Sequence, residues 1–215
     1  MIEFTLWDIV RNLLLAARWT ILLSIVAFAG GITVGLGILL LRISRKRAIS
    51  KFAELYIALF QGTPLLMQLF LLFFGLPLLG IRIEAWTAAS IGLTLCASAF
   101  LADIWRGGVQ SLPSGQWDAG ASLGLHYIKQ LRLIILPQTF AITRAPTVGY
   151  LVQLIKSTAL TSIIGFEELV RASNAINNAT FQPFTVYGLV ALIYFALCFP
   201  LTRYARALEL QAQKY

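Results

Sequence analysis

The sequence predicts an all-α protein that is embedded in a membrane and crosses it about five times. Apolar residues make up 59% of the 215 positions and charged residues only 12%, which is about half the usual share in soluble domains. A soluble domain of this size could not hide so much apolar surface from water. Long uncharged stretches of about 20 residues, the length that crosses a bilayer as a helix, recur along the chain. We therefore expect residues 1–215 to form a single transmembrane domain.

Five stretches are the candidate spans, in chain order residues 19–41, 55–81, 85–102, 133–155 and 184–202. Four of them contain no charged side chain, whereas Arg144 and Pro146 divide the fourth, which is expected to kink at the proline. The second is longer than a span needs and is interrupted by Gly62, Thr63 and Pro64. Residues 2–18 are amphipathic, and the pattern predicts a short helix lying in the membrane interface ahead of the first span.

The distribution of basic residues predicts the orientation. Of the 17 lysines and arginines, one group lies between spans one and two, between spans three and four, and after span five: Arg42, Arg45, Lys46, Arg47, Lys51, Arg106, Lys129, Arg132, Arg203, Arg206 and Lys214. The opposite ends carry only Arg11, Arg18, Arg82 and Arg171. Because basic loops stay in the cytoplasm, the N-terminus is expected outside and the C-terminus inside. No nucleic-acid partner is expected, since these residues do not form one basic stripe.

Small residues inside the spans suggest close helix packing. Gly31 and Gly35 are four residues apart in the first span, a spacing that allows another helix to approach closely. Packing within the chain is favoured over a contact with another subunit. Cys96 and Cys198 lie in apolar runs and are interpreted as small packing residues, with no metal site expected.

The loop between spans three and four is too long and too structured for a simple turn. Ser114 is expected to cap a short helix over residues 116–123, and Gly124 is expected to end it. Such a helix on the cytoplasmic face could be a docking surface or a solvated connector, and composition alone does not separate the two.

Motifs in this loop and beyond it resemble the permease subunits of bacterial ATP-binding-cassette importers. That family carries a cytoplasmic pattern of the form E-A-A-x3-G-x9-I-x-L-P, and this chain has Asp118-Ala119-Gly120, Gly124, Ile134, Leu136 and Pro137 at the same spacing. Arg106 to Gln110, Gly62 to Gln68, and Lys156 to Leu160 add to the match. The resemblance is to the polar amino acid branch, which includes permeases for histidine, arginine, glutamine and glutamate.

The resemblance implies a type I importer fold, with no catalytic residues in this chain. Its partners would be a second permease chain, identical or homologous, two ATPase subunits that bind ATP and Mg²⁺, and an external solute-binding protein that delivers an amino acid. The location would be the bacterial inner membrane. The sequence contains no G-x4-G-K-[ST] phosphate-binding loop, so the ATPase is expected to be a separate chain. Residues implied in ATPase coupling lie in the loop of residues 107–130, namely Trp117, Asp118, Ala119, Gly120, Ser122, Leu123 and Gly124.

A second set of residues is the candidate for substrate binding: Gly62, Thr63, Pro64, Leu65, Cys96, Ser98, Lys156, Ser157 and Thr158. A broken helix exposes backbone groups at membrane depth, which is tolerated where they line a cavity. Lys156 follows a long apolar stretch and could meet a carboxylate, although snorkelling to the headgroups is the alternative.

Three positions depart from the family pattern: Gln61 replaces an arginine, Cys96 an asparagine, and Ser157 an acidic residue. Two explanations remain open. The substrate is neutral or acidic, or the chain is half of a heterodimer whose other half holds the main polar site. A gradient-driven secondary transporter or channel is the alternative class, but it would require acidic residues inside the spans, and the five candidate spans contain none.

Overall fold

The computed structural model describes residues 5–212, and these residues form helices joined by short turns. Within these residues, the fold is built mainly from eight helices: α1 (Leu6–Arg42), α2 (Arg47–Gly62), α3 (Leu65–Leu78), α4 (Ala85–Ser111), α5 (Gly115–Ser122), α6 (Leu136–Ser157), α7 (Leu169–Thr180) and α8 (Pro183–Ala212). The helical turn Tyr127–Gln130 and the π-helical segment Leu131–Ile135 lead into α6, and the 3₁₀ segment Thr158–Ser162 follows it. The all-α fold expected from the composition is confirmed.

Three helices, α1, α4 and α8, are long and apolar enough to cross a membrane, and the bent pair α2–α3 makes a fourth if it counts as one span. Helix α6 has 22 residues, about 33 Å at 1.5 Å per residue, which is enough to cross the hydrocarbon core. Its mean hydropathy, however, is too low for composition alone to identify α6 as a membrane span. The fifth crossing therefore stays a prediction that rests on the length of α6.

The N-terminal segment differs from the expected interfacial helix. The Thr5 side chain accepts the backbone N–H of Asp8, and the Asp8 carboxylate accepts the backbone N–H of Thr5, which together form a capping box. From this cap the helix runs without a break from Leu6 to Arg42 over 37 residues. Residues 2–4 of the expected segment lie outside the described residues. The apolar face of the amphipathic stretch, Ile9, Leu13 and Ala17, is buried against α7 and α8. The amphipathic pattern was thus correctly recognised, but the expectation of a separate interfacial helix was wrong, because the apolar face packs on protein.

The second candidate span is also different from a straight helix. It begins in the basic stretch at Arg47, breaks at Thr63 and Pro64, and changes direction by 101°. Thr63 has extended backbone angles (φ −114°, ψ 141°), as a residue before proline prefers. Pro64 has no backbone N–H to continue the helical ladder. These two local effects place the bend where the sequence shows it.

Prolines also coincide with the two π-helical segments. Leu71–Gly75 ends two residues before Pro77, and Leu131–Ile135 ends two residues before Pro137. A proline leaves the carbonyl four residues earlier without its usual donor, and a wider turn is one way for the helix to adjust. In both places the helix continues through the proline without a break.

Helix α1 packs closely against α4, where glycines allow the backbones to approach. A Cβ atom added to Gly31 would lie 2.7 Å from the Cβ of Ala97, and one added to Gly35 would lie 3.0 Å from the backbone oxygen of Ser98. Leu101 of α4 packs over both positions. The prediction that these glycines serve packing within the chain is confirmed.

We expect alanine substitutions at Gly31 and Gly37 of α1 to have opposite effects on the stability of the protein. Gly31→Ala should lower the stability by about 1–3 kcal/mol, because its methyl group overlaps Ala97 in a well-packed contact. Gly37→Ala is the matched control, because nothing lies within 4 Å of the added Cβ, and alanine is a better helix former by up to about 1 kcal/mol. Thermal unfolding of both variants in detergent measures the difference. Equal midpoints would contradict the proposed close packing of α1 on α4.

Candidate functional site

The bend between α2 and α3 is stabilised by side chains that replace missing backbone donors. The Gln68 amide Nε2 donates to the carbonyl oxygens of Phe60 and Thr63, both at 3.0 Å, and to the Thr63 hydroxyl at 2.9 Å. That hydroxyl in turn donates to the carbonyl of Leu59 at 2.8 Å. The carbonyl groups of Leu59, Phe60 and Thr63 are therefore paired by side chains. Sequence reasoning used Gln68 only as part of a motif; its signal was a glutamine four residues after a proline in an apolar run.

The candidate residues at the bend, Gly62, Thr63 and Pro64, are exposed, while Leu65 is half-buried. A groove of about 320 Å³ lies beside them and reaches Leu95 of α4. Its lining is almost entirely apolar side chain, so in this conformation it offers few groups to a charged ligand.

The two candidate residues on α4 lie in the interior of the protein. Cys96 and Ser98 are both buried. The Ser98 hydroxyl lies 2.7 Å from the Tyr56 hydroxyl, and it donates to the carbonyl of Leu95 at 2.7 Å. The Ser98 contacts tie α2 to α4, and neither Cys96 nor Ser98 lines the groove at the bend.

Lys156 lies on a different face of the molecule from the bend. It is exposed at the C-terminal end of α6 and completes a stripe with Ile142, Pro146, Gly149 and Gln153, spaced at three or four residues. The stripe lines a groove of about 620 Å³ between α6 and α8, to which Arg206 and Glu209 also contribute.

The residues after Lys156 turn inward. Ser157 is half-buried and its hydroxyl donates to the carbonyl of Gln153, whereas Thr158 is fully buried and donates to the carbonyl of Ile155. The candidate substrate residues thus fall into an exposed bend, an exposed stripe and a buried set, and the groove at the bend shares no lining residue with the groove at Lys156.

The loop between α4 and α6 contains the expected short helix, α5, with a glycine at its end. Gly124 has a left-handed backbone (φ 69°), and the N–H groups of Gly124 and Leu125 donate to the carbonyls of Ala121 and Gly120. This pair of bonds is the Schellman motif that ends helices. Capping by Ser114 was predicted wrongly: its own φ and ψ (−56°, −32°) are helical, whereas a side-chain cap needs an extended residue.

The candidate coupling residues divide between two faces of the loop. The outer face consists of Asp118, Ala119, Ser122, Leu123 and Gly124, all exposed. Gly120 is buried, and a Cβ there would lie 2.9 Å from Gln130 and 3.0 Å from Ile134. Gly120 therefore lets α5 lie close against the segment that leads into α6. The five residues of the outer face form a free surface.

Tyr127 fixes α5 to the C-terminal end of α1, and sequence reasoning missed it. The Trp117 indole stacks on the Tyr127 ring with centroids 5.6 Å apart and planes at 10°. The Tyr127 hydroxyl donates to the carbonyl of Ile43 at 2.6 Å, and the Arg45 guanidinium lies 4.5 Å from its ring centre. The exposed surface of α5 is thereby tied to the loop that follows α1.

Glu168 is a second residue that sequence reasoning missed, because it lies between two candidate spans. It is fully buried and caps α7 by accepting the N–H groups of Val170 (2.9 Å) and Arg171 (2.8 Å). Burial raises the pKa of its carboxyl to about 7 from 4.5, although the bonds from these N–H groups and from Tyr194 and Thr20 favour the charged form. Thr20 also accepts the N–H of Leu169, so this cap connects α7 to α1.

Comparison with known proteins places these features in one family. The profile described as "Binding-protein-dependent transport system inner membrane component" matches residues 31–213. The "Probable amino-acid ABC transporter permease protein YckA" of Bacillus subtilis (strain 168) is 38% identical over 208 residues, covering 92% of each chain. The L-cystine transport system permease protein TcyB of the same organism is 32% identical, covering 100% of this chain and 91% of the relative.

A solved structure has the same fold. The chain superposes with a TM-score of 0.88 and 30% identity on a structure described as "Crystal structure of an amino acid ABC transporter with histidines", covering 98% of this chain and 100% of the other.

We expect Gln68→Leu to destabilise the bend. The substitution keeps a similar volume but removes the donor to the Phe60 and Thr63 carbonyls, at a cost of about 0.5–1.5 kcal/mol for each hydrogen bond lost. Thermal unfolding in detergent is the measurement. Gln61→Leu is the control, since Gln61 is exposed on the same bend. If both variants unfolded at the same temperature as the parent, Gln68 would not hold the bend.

We expect stability to fall as the pH rises from about 4.5 to about 7. The pKa of Glu168 is raised to about 7 in the folded protein, so the folded state binds this proton more tightly. Its contribution is fully present below the ordinary pKa of 4.5 and is lost as pH rises through 7. Glu168→Gln should flatten this part of the profile of unfolding midpoint against pH. Glu167→Gln, at the exposed neighbouring position, should leave the slope as in the parent; an unchanged slope in Glu168→Gln would contradict the assignment.

Proposed function

The chain belongs to the family of binding-protein-dependent transport system inner membrane components, and from this premise we propose that it forms the membrane pathway of an ATP-driven amino acid importer. The family makes it the permease component of an ATP-binding-cassette system that works with a binding protein. An amino acid cargo is supported by relatives named for amino-acid and cystine transport. Hydrolysis belongs to separate ATPase subunits, which bind ATP and Mg²⁺.

The outer face of α5 is the observation that supports coupling to an ATPase. Its exposed residues include Leu123, whose side chain is 75% exposed on a cytoplasmic loop. The Schellman motif at Gly124 and the stacking of Trp117 on Tyr127 hold this face in one orientation. A short helix that is rigid, apolar at its tip and otherwise uncovered is suited to a groove on a partner subunit.

The stripe on α6 supports a second permease chain. Gln153 and Lys156 are exposed on a helix long enough to cross the membrane. Polar and ionisable side chains at membrane depth face protein or a water-filled path because contact with lipid is costly. A second copy or a homologue would cover the groove between α6 and α8 and enclose a pathway. Two ATPase subunits, one for each α5, follow from that pairing.

The orientation follows from the same surfaces. The Arg42–Glu54 ion pair and Tyr127 lie at the end of α1 that carries the basic loops and α5. Basic loops favour the cytoplasm, so the N-terminus is assigned to the outside and the C-terminus to the cytoplasm. A gradient-driven transporter or channel would have no use for a rigid docking helix on this side.

Substrate binding is assigned to Thr63, Pro64 and Lys156, with the other candidate residues as neighbours. The bend and the stripe are separate on one chain, which supports a site completed by groups from both chains. Lys156 would attract the carboxylate of the amino acid. The position after it is Ser157, so a neutral or acidic substrate and a heterodimer with the polar site in the other chain both fit.

The transport cycle requires two packing states whose balance the nucleotide changes. ATP binding draws the ATPase subunits and the docked α5 helices together, which opens the pathway to the outside, and hydrolysis restores the inward-facing state. Tyr127 would carry this movement to α1, because it contacts both α5 and the segment that follows α1.

We expect Leu123→Asp to abolish association with the ATPase subunits and to reduce uptake at least about tenfold, since a buried unpaired charge at an interface costs several kcal/mol. Leu210→Asp is the matched control: Leu210 is 62% exposed near the cytoplasmic end of α8, away from α5. Co-purification of the subunits measures association, and uptake of labelled amino acids into proteoliposomes with the binding protein measures transport. If the parent chain bound no ATPase and transported no amino acid, the proposed function would fail.

A further inference from the structure

A groove of about 590 Å³ lies between α1 and α7, near the end of the molecule assigned to the outside. Its polar lining consists of Asn12, Arg18, Glu167 and Arg171, and its apolar lining includes Leu15 and Trp19. None of the residues proposed for substrate binding or ATPase coupling contributes to it.

The two arginines of this groove keep their guanidinium groups available. Among residues 5–212, the ion pairs join Arg42 to Glu54 and Arg106 to Asp103, and neither involves Arg18 or Arg171. The Arg18 guanidinium lies 5.4 Å from the ring centre of Trp19. Such a contact orients the group without neutralising it. Guanidinium groups are well matched to phosphate because they can donate two parallel hydrogen bonds.

The groove is at the depth of the lipid headgroups. The uncharged part of α1 begins at Trp19, directly after Arg18, and Trp19 packs edge-on against Trp86 with ring centres 6.1 Å apart. Tryptophan is concentrated at the boundary between headgroups and hydrocarbon. An arginine at this boundary has its charge at the level of the lipid phosphates.

An exposed apolar stripe continues from the groove down the side of α1. Leu15, Trp19, Leu22 and Val26 share one helical face and are 45%, 39%, 41% and 38% exposed. The stripe leads into the stretch of α1 that spans the hydrocarbon, so a molecule with its phosphate at Arg18 would lay an acyl chain along it. A binding-protein lobe would need no such apolar path into the membrane.

We propose that the α1–α7 groove is a phospholipid site, with Arg18 and Arg171 binding the phosphate and the stripe on α1 contacting an acyl chain. Glu167 adds a carboxylate to the same groove. A carboxylate beside two guanidinium groups complements a headgroup that has an ammonium next to its phosphate. Phosphatidylethanolamine has this arrangement, whereas phosphatidylglycerol does not, and the groove should prefer the former. The proposal does not depend on the transported substrate or on the ATPase.

The test uses the full-length chain reconstituted in nanodiscs that contain equal amounts of phosphatidylethanolamine and phosphatidylglycerol. Native mass spectrometry after release counts the lipids that remain bound. The double variant Arg18→Gln/Arg171→Gln should retain at least about tenfold less phospholipid, as the loss of charge-assisted bonds predicts. Glu167→Gln should keep lipid but lose the preference for phosphatidylethanolamine.

The matched control is Arg11→Gln/Arg82→Gln, which removes the same charge from two exposed arginines on the same side but outside the groove. The control should retain lipid like the parent. Equal retention in all variants, or an equal loss in the control, would overturn the lipid site. Weaker affinity for the binding protein with unchanged lipid retention would assign the groove to protein docking and would also overturn it. Unfolding midpoints confirm that each variant is folded.

Discussion

The hydrocarbon core of a membrane provides no water to pair with a backbone group that leaves a helix, and this chain departs from regular helix at several places. Each unpaired group would cost several kcal/mol. At the α2–α3 bend, Gln68 supplies the donor that Pro64 cannot. At Pro77 and Pro137, a π-helical segment precedes the proline and lets the helix continue although the proline has no N–H to donate. The helices can therefore bend in these places while the carbonyls of Phe60 and Thr63 remain hydrogen-bonded.

Close packing makes the remaining helices suitable for transmitting movement. Gly31 and Gly35 bring α1 against α4 with little room for adjustment. Tyr127 joins α5 to the segment after α1 through a ring stack and a 2.6 Å hydrogen bond. A displacement of α5 by a partner subunit would therefore reach α1 and α4 as a movement of whole helices, because packed cores do not deform continuously.

The polar features of the chain are distributed over surfaces that one copy does not bring together. Lys156 lies on the α6 stripe, and the bend opens into an apolar groove beside α4. The arginines of the α1–α7 groove form a third polar surface, which shares no lining residue with the other two. The proposed amino acid site would therefore need groups from a second chain, whereas the proposed lipid site needs only the residues of the α1–α7 groove.

The sequence alone was enough to predict the helical stretches, the position of the bend at Gly62-Thr63-Pro64, the end of α5 at Gly124 and the packing role of Gly31. These depend on local rules: a run of uncharged residues, a proline without a donor, a glycine that accepts a left-handed backbone. The tertiary structure was needed to show that the amphipathic start of α1 continues into the first span and packs on α7 and α8, that Tyr127 anchors α5, and that Lys156 lies apart from the bend. These features depend on contacts between residues far apart in the chain: Tyr127 bonds to Ile43 at a separation of 84 residues, and Leu169 bonds to Thr20 at a separation of 149. Gln68 bonds to residues only five and eight positions away, but those bonds form only once the chain has bent. Helical periodicity specifies which face of a helix is apolar, but it does not specify whether lipid or another helix covers that face.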